Sequence, residues 1–463
     1  MNHARCFLVG AVLALLVTNK AQGQDAWEHT PYNIQVYLAL NGSTSDAAVQ
    51  EIADHLSDRA ETVVGGGWKL HVEVAPPVLK QALASGSGNL KPEHVPLPET
   101  EPDKVVVLAI DDGAIPAIEA REFDCRARQF GPIQRRAVAQ PWRLRREAFL
   151  ALTAAFTPLA RVEPLEDKQV RLQLRAAEFE PRDPAWPWAA PGDLFRCVLR
   201  MSERSGAART AEEIAWTLLE AESVDARGVM CHLETGVRGA LSSRRGRFEL
   251  FALGIRPSSE STRLEIRSRT PDARPLAGYD IYSTDRAGTQ VERIGRTDRT
   301  GAVIVPAGER RYRILLIRDG QELLARLPMA PGQSPVLTAR IPDDRQRLEV
   351  EAFVVGMQES VVDLVARRAV LLARAESRLD AKDLAEAEKL IEQLRRMETR
   401  EQLQQRIATE RRRFTSEDPS VQRKIDRLFD DTAKLLGRYL NPADVEMLQR
   451  RVRDARSAAA STK

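Results

Sequence analysis

The chain has 463 residues, 43% of them hydrophobic and 29% charged, and a net charge of +3. That length exceeds one ordinary core and points to several domains, while the charged fraction argues against an integral membrane protein. The basic excess is small and dispersed, with no cationic run beside interleaved aromatics, so a nucleic-acid-binding arm is not expected.

The first element reads as a targeting signal. Arg5 stands before the apolar run "CFLVGAVLALLVT" (residues 6–18), and the small residues Ala21 and Gly23 follow it. This run is shorter than the roughly 20 residues that a membrane-crossing helix needs. We therefore expect residues 1–23 to be a cleaved secretory signal, with the mature chain starting near Gln24. Cys6 opens the apolar run instead of following it and is misplaced for lipid attachment. No later stretch approaches membrane length, so no membrane span is expected after cleavage. These features predict a secreted or periplasmic protein of bacterial type.

Residues 24–115 read as a small α/β domain. "YNIQVYLAL" (32–40) alternates Ile34, Val36, Leu38 and Leu40, the period of a strand. "STSDAAVQEIADHLSDRA" then puts Val49, Ile52 and Leu56 at helical spacing, with Ser45 or Asp46 as cap. "GGG" (65–67) breaks the chain before a second strand, "WKLHVEV" (68–74). The Pro-, Gly- and Ser-rich stretch 85–103 reads as a surface loop leading into "KVVVLAI" (104–110), a central strand of a partly parallel sheet.

Residues 116–257 read as a β-rich domain interrupted by one helix, "RLRREAFLALTAAF" (143–156). Residues 160–179 predict a hairpin around Glu166 and Asp167, and 193–201, 214–222, 228–236 and 247–255 predict further strands. "PRDPAWPWAAPGD" (181–193) contains four prolines and cannot be a regular element. Its Trp186 and Trp188 are expected to plug a loop onto the core. Cleavage would leave Cys125, Cys197 and Cys231, which is no disulfide scaffold. Cys197 and Cys231 sit on predicted strands and could pair across a sheet; two buried free thiols are equally compatible with their spacing.

Short strands without helices fill 258–352: "TRLEIRSR" (262–269), "PLAGYDIYSTD" (275–285), "GAVIVP" (301–306), "RYRILLIRDG" (311–320), "QELLARLPMAPG" and "SPVLTARIP". They predict an antiparallel β-sandwich. In "GRTDRTGAVIVP" (295–306), Thr297 and Asp298 close a turn on nearby amides and Gly301 supplies a permissive φ, which we read as the joint of a β-hairpin. Pro275-Leu276-x-Gly278, Gly295-x-Thr297-Asp298-x-x-Gly301-x-Val303-x-Val305 and Pro306-x-Gly308 ahead of Tyr312 carry a resemblance. Over roughly 260–350 the chain resembles the carboxypeptidase regulatory-like family, a prealbumin-type (transthyretin-like) sandwich. That resemblance implies a structural module whose matching residues contribute no catalysis. Valines stand where the family has aromatics after the turn glycine, and two extra residues separate Gly308 from Tyr312.

Residues 353–463 change to helical period. In 359–379 the stripe is Val362, Val365, Ala366, Ala369, Leu372, Ala373 and Leu379, with Val361 and Leu371 outside it. After "DAKD" (380–383) come Leu384, Ala387, Ile391 and Leu394. In 420–440 Ile425, Leu428, Phe429, Leu435, Leu436 and Tyr439 repeat the pattern, and Asn441-Pro442 opens a last helix through Val445, Leu448 and Val452. The turns suggest helical hairpins of tetratricopeptide type, without a second copy at that repeat's period.

The predicted fold class is thus multidomain α+β. No nucleophile elbow, phosphate loop, dinucleotide fingerprint or zinc-protease motif occurs, and His29, His55, His71, His94 and His232 are scattered. His71 and Glu73 share a strand face but lack a third ligand, and Cys231 and His232 point to opposite faces. Asp111 and Asp112 end a strand, where α/β sheets usually bind ligands. "NGSTS" (41–45) weakly resembles a von Willebrand A metal motif with Asn41 in place of its first Asp. Turn and cap chemistry accounts for both stretches. No catalytic, cofactor-binding or metal residue is assigned. We expect an exported, non-enzymatic scaffold or binding protein that meets a partner, or itself, through the C-terminal helices. The alternative is a secreted hydrolase with a diverged active site in 24–257 and an accessory sandwich.

Overall fold

Alternation along the first strand decides the N-terminal architecture. The computed structural model describes residues 27–41, 46–98, 100–111, 116–202, 208–225, 227–237, 239–241, 248–320, 322–343, 345–441 and 443–461. The signal segment, Ser45, Asp112 and Pro442 lie outside them. Strand β1 (Tyr32–Asn41) pairs in parallel with β2 (Trp68–Val74) and β3 (Lys104–Asp111), and β3 pairs antiparallel with β4 (Ala117–Asp124). β5 (Gln129–Phe130) and β6 (Gln134–Ala137) both pair with β4, giving the order β2–β1–β3–β4–β5. Ile34, Val36 and Leu38 enter one core with Ile52 and Leu56 of helix α1 (Asp46–Val63). Phe149 and Leu152 of a later helix join the same core. Tyr37, Ala39, Val105 and Val107 face a second core. There helix α2 (Pro77–Leu83) brings Leu79, and the stretch expected to be surface loop brings Leu90 and Val95. A sheet apolar on both faces needs that second cover.

The sheet crosses the expected boundary at 115, because β3 and β4 are hydrogen-bonded neighbours on either side of it. Helix α3 (Leu144–Ala155) also covers this sheet and not a separate domain. The barrel that follows is shorter than the predicted β-rich region. Its strands are β7 (Leu159–Pro164), β8 (Gln169–Leu174), β9 (Leu194–Ser202), β10 (Ala208–Asp225), β11 (Gly228–Thr235) and β12 (Phe248–Gly254). They close in the order β10–β11–β8–β7–β12–β9. The β7–β8 turn forms at Asp167 and Lys168, both at positive φ. Sheet and barrel share one apolar cluster running from Trp27 to Leu253. Trp186 and Trp188 plug the loop onto it, and the Trp188 indole donates to the Phe179 carbonyl at 2.8 Å.

Seven strands follow: β13 (Ser261–Ser268), β14 (Asp280–Thr284), β15 (Val291–Arg296), β16 (Ala302–Pro306), β17 (Arg313–Asp319), β18 (Glu322–Met329) and β19 (Val336–Ile341). One sheet has the order β16–β13–β19 and the other β15–β14–β17–β18. The hairpin expected at 295–306 is therefore corrected. β15 pairs with β14 and β16 with β13, so the Asp298 turn carries the chain from one sheet to the other. Turn chemistry is the same in both cases; which strand receives the chain depends on distant partners. Locally the turn is as expected, with Asp298 Oδ1 accepting from Thr300 N at 2.8 Å and Gly301 at φ +74°.

The chain divides into two compact units: one holds residues up to Glu265 with Tyr279–Thr297 and Ala302–Leu337, the other Ile266–Gly278, Asp298–Gly301 and everything from Thr338. In the second unit, helix α4 (Arg345–Asp380) begins earlier than predicted, inside the expected sandwich range. It is followed by α5 (Leu384–Arg396), α6 (Arg400–Arg413), α7 (Pro419–Tyr439) and α8 (Ala443–Ser461). α4 serves two cores. Val350, Val354, Met357 and Val361 pack with Leu403, Ile407, Ile425 and Phe429. Ala375 and Leu379 pack with Leu390, Ile391, Leu448 and Val452. The predicted stripe is corrected: Val361 is buried, whereas Val362, Ala366, Ala369 and Ala373 are exposed. Tyr439 is likewise exposed, and α6 was not anticipated at all.

Candidate functional site

The densest chemistry in the first unit lies at the β3–β4 pairing. Lys104 opposes Asp124 directly and Glu122 diagonally, since Val106 opposes Glu122. All three side chains point to the same face of the sheet by alternation. Lys104 Nζ lies 2.8 Å from both Glu122 Oε1 and Asp124 Oδ2. Glu122 also accepts from Thr157 N at 2.9 Å, and Asp124 accepts from Ala127 N at 2.7 Å. The ammonium stands 5.2 Å from the Phe156 ring and 5.7 Å from that of Tyr32. Beside it, Asp103 accepts from Arg175 at 2.7 Å, from Arg126 at 3.1 Å and from Asn33 N at 3.0 Å.

This constellation resembles an acid–base site but does not work as one. Lys104 is fully buried, and burial opposes its charge; the carboxylates of Asp124 and Glu122 outweigh that and raise its pKa above the ordinary lysine value. A catalytic lysine needs a lowered pKa and access to substrate. Here the charges are compensated in place, which is the condition for burying them at all. Sequence reasoning passed over the group, although the lysine heading "KVVVLAI" and the two acids spaced two apart in "EFD" were visible signals.

A second charged cluster joins barrel strands β10 and β11 to strands β17 and β18. Buried Glu234 lies 3.3 Å from Arg326, 3.5 Å from His232 Nε2 and 3.9 Å from Arg286. Arg286 reaches Glu222 at 2.9 Å, and Tyr312 donates to Glu220 at 3.1 Å. Burial and then Arg286 lower the His232 pKa below its ordinary value, so the ring is neutral at pH 7. Every carboxylate in this group has a cationic or hydroxyl partner, the signature of a mechanical joint.

The residues singled out from sequence stay apart. Cys125, Cys197 and Cys231 are buried free thiols, so the disulfide alternative is not realised. β9 and β11 are separated by β10 in the barrel, which removes the direct cross-strand pairing. Burial pushes the Cys231 thiol up to about 12 and raises Cys125 and Cys197 further, leaving them inert. His71 and Glu73 are exposed on edge strand β2. Asp111 is exposed at the end of β3; Asn41 ends β1, and the rest of "NGSTS" lies outside the described residues. Among the described residues no three His, Cys, Asp or Glu side chains gather as a metal site requires, and no helix is long and apolar enough to cross a membrane.

No family model matches the chain, and no curated protein matches it. Among solved structures it is similar to a hypothetical protein from Chlamydia trachomatis, at 14% identity over 26% of this chain and 87% of that one, with a TM-score of 0.17.

Proposed function

We propose that the chain is an exported binding or scaffold protein, acting through contacts of its helical unit with a protein partner or a second copy. The observation that carries this reading is on α4. Val355, Val362 and Val370 are 53%, 67% and 52% exposed, while the opposite side of the helix fills two cores. Burying apolar surface of this kind gains about 25 cal/mol per Å². On the same reading, the strands from β13 to β19 form a carboxypeptidase regulatory-like sandwich. Two sheets, one of them (β15–β14–β17–β18) antiparallel throughout, and the positive φ at Gly301 support it. The hydrolase alternative finds no support in the densest charged group of residues 24–257 or in its thiols, since Lys104, Glu122, Asp124, Cys125, Cys197 and Cys231 are buried.

Analytical ultracentrifugation of residues 24–463 and of a 24–343 truncation tests the reading. Association, or capture of a partner, is expected for the longer chain and lost on truncation. A monomeric, partnerless long chain overturns it. Material from the exported fraction should begin near Gln24, and an intact Met1 there would overturn the export reading.

A further inference from the structure

The first unit contains an open cleft of about 580 Å³ whose charge is unbalanced. Four arginines line it, Arg121, Arg135, Arg196 and Arg256, against a single carboxylate, Glu119. Two of the four are neutralised. Arg135 pairs with Glu119, and Arg196 pairs with Glu213 at 2.7 Å. Among the described residues, Arg121 and Arg256 have no carboxylate partner.

Arg121 is held in place by other means. Its Nη1 donates to the Ser87 carbonyl at 2.5 Å, its Nε to the Gly131 carbonyl at 3.4 Å, and its plane lies 4.3 Å from the Phe130 ring centre. These contacts fix the guanidinium and leave Nη2 without an acceptor among the described residues. A planar cation fixed on a ring and still able to donate is pre-organised for an oxyanion. Arg256 follows β12, with its carbonyl accepting from Gln134 Nε2 at 3.2 Å and its side chain unengaged among the described residues. Ser258 and Gln333 add neutral polar groups to the wall, and Phe130 and Ile133 add an apolar face. The volume falls within the range of small-molecule sites, about 300–1,000 Å³.

The geometry points to a binding site for a small organic anion, its phosphate or carboxylate group held by Arg121 and Arg256 and its body against Phe130 and Ile133. The site belongs to the first unit and does not depend on association through the helices. An uncompensated arginine pair in a concave wall concentrates anions, and a hydrogen bond to a charged group is stronger than one between neutral groups.

Isothermal titration calorimetry of residues 24–463 at low ionic strength tests the assignment, with inorganic phosphate, citrate, glucose 6-phosphate and glucose as titrants. Saturable 1:1 binding is expected for glucose 6-phosphate or citrate and none for glucose; which of the two binds tells phosphate from carboxylate. Arg256→Ala should weaken that binding by about tenfold or more. Arg256→Lys should recover part of the loss, because it restores the charge without the planar fork. Circular dichroism of both variants should match the parent, since the Arg256 side chain has no partner among the described residues. Equal binding by Arg256→Ala and the parent would overturn the assignment, as would silence from all three anions. Sedimentation and calorimetry read different surfaces, so failure of one reading leaves the other standing.

Discussion

Two charged groups, one in each unit, stand at opposite extremes of burial. In the first, Lys104, Glu122 and Asp124 are at most 1% exposed and bind one another across a sheet. In the helical part of the second, ion pairs such as Arg411 with Asp426 and Asp430 stand 37–53% exposed. The first arrangement depends on removal from water, where an unpaired charge is costly; the second is screened by solvent and salt. The contrast teaches that similar residues give a specifying contact in one place and a marginal one in another.

The sharpest way to break that comparison is to remove one cation from each. Lys104→Met should cost about 3–5 kcal/mol, because two buried carboxylates lose their partner. Adding Glu122→Gln and Asp124→Asn should recover part of it. Arg411→Ala should cost less than about 1 kcal/mol. Guanidinium unfolding followed separately in each unit measures both; comparable losses would abolish the distinction.

A smaller effect is expected from Gly301→Val. A Cβ there would lie 2.5 Å from Ile266 O and 2.9 Å from Leu276 N, at φ +74°. Strain of about 1–3 kcal/mol should follow from the backbone angle alone. Hydrogen exchange should quicken at Ile266, whose amide donates to Gly301 O at 2.7 Å, and stay unchanged along α5 and α7. Unaltered exchange at Ile266 would show that the crossing turn tolerates a side chain.

The smallest effect is acid release of the loop at Asp285. Its carboxylate accepts from the Thr289 hydroxyl at 2.7 Å and from the amides of Gln290 and Thr289 at 3.1 and 2.7 Å. The Thr289 hydroxyl first, then the Gln290 amide, hold its pKa down at about 2. A depressed carboxylate stabilises the fold above its ordinary pKa and loses that contribution as pH falls through the folded value. The Thr289 amide resonance should therefore titrate near pH 2 and lose that transition in Asp285→Asn. A midpoint at the usual carboxylate pH would mean the loop is open in solution.

Where periodicity and burial coincide, the fold was legible. β1 and β13 alternate as read, and Ile52 and Leu56 lie where helical spacing puts them. Helix α6 was not legible because only Leu403 and Ile407 of its 14 residues are buried, too few to mark a stripe. On α4 the adjacent valines Val361 and Val362 made two stripes equally apolar, and packing by α6 and α7 chose Val361. The crossing at 297–301 was hidden because a turn motif carries no record of which sheet receives it. Arg121 was invisible for a related reason: its importance arises from Ser87, Phe130 and Gly131, which only the folded chain brings together.

The bonds of Trp27 and Tyr32 bear on how the chain comes off the ribosome. Trp27 donates its indole N–H to the Gln173 carbonyl, and the Tyr32 hydroxyl exchanges hydrogen bonds with Leu159, contacts spanning 146 and 127 residues. Synthesis at about 5–20 residues per second leaves β1 without these partners for roughly 6–30 s. The α4–α5 hairpin closes on residues a few positions away and can form as soon as it emerges. β1 is thus completed well after it is made, and during that interval its apolar face is open to neighbouring nascent chains.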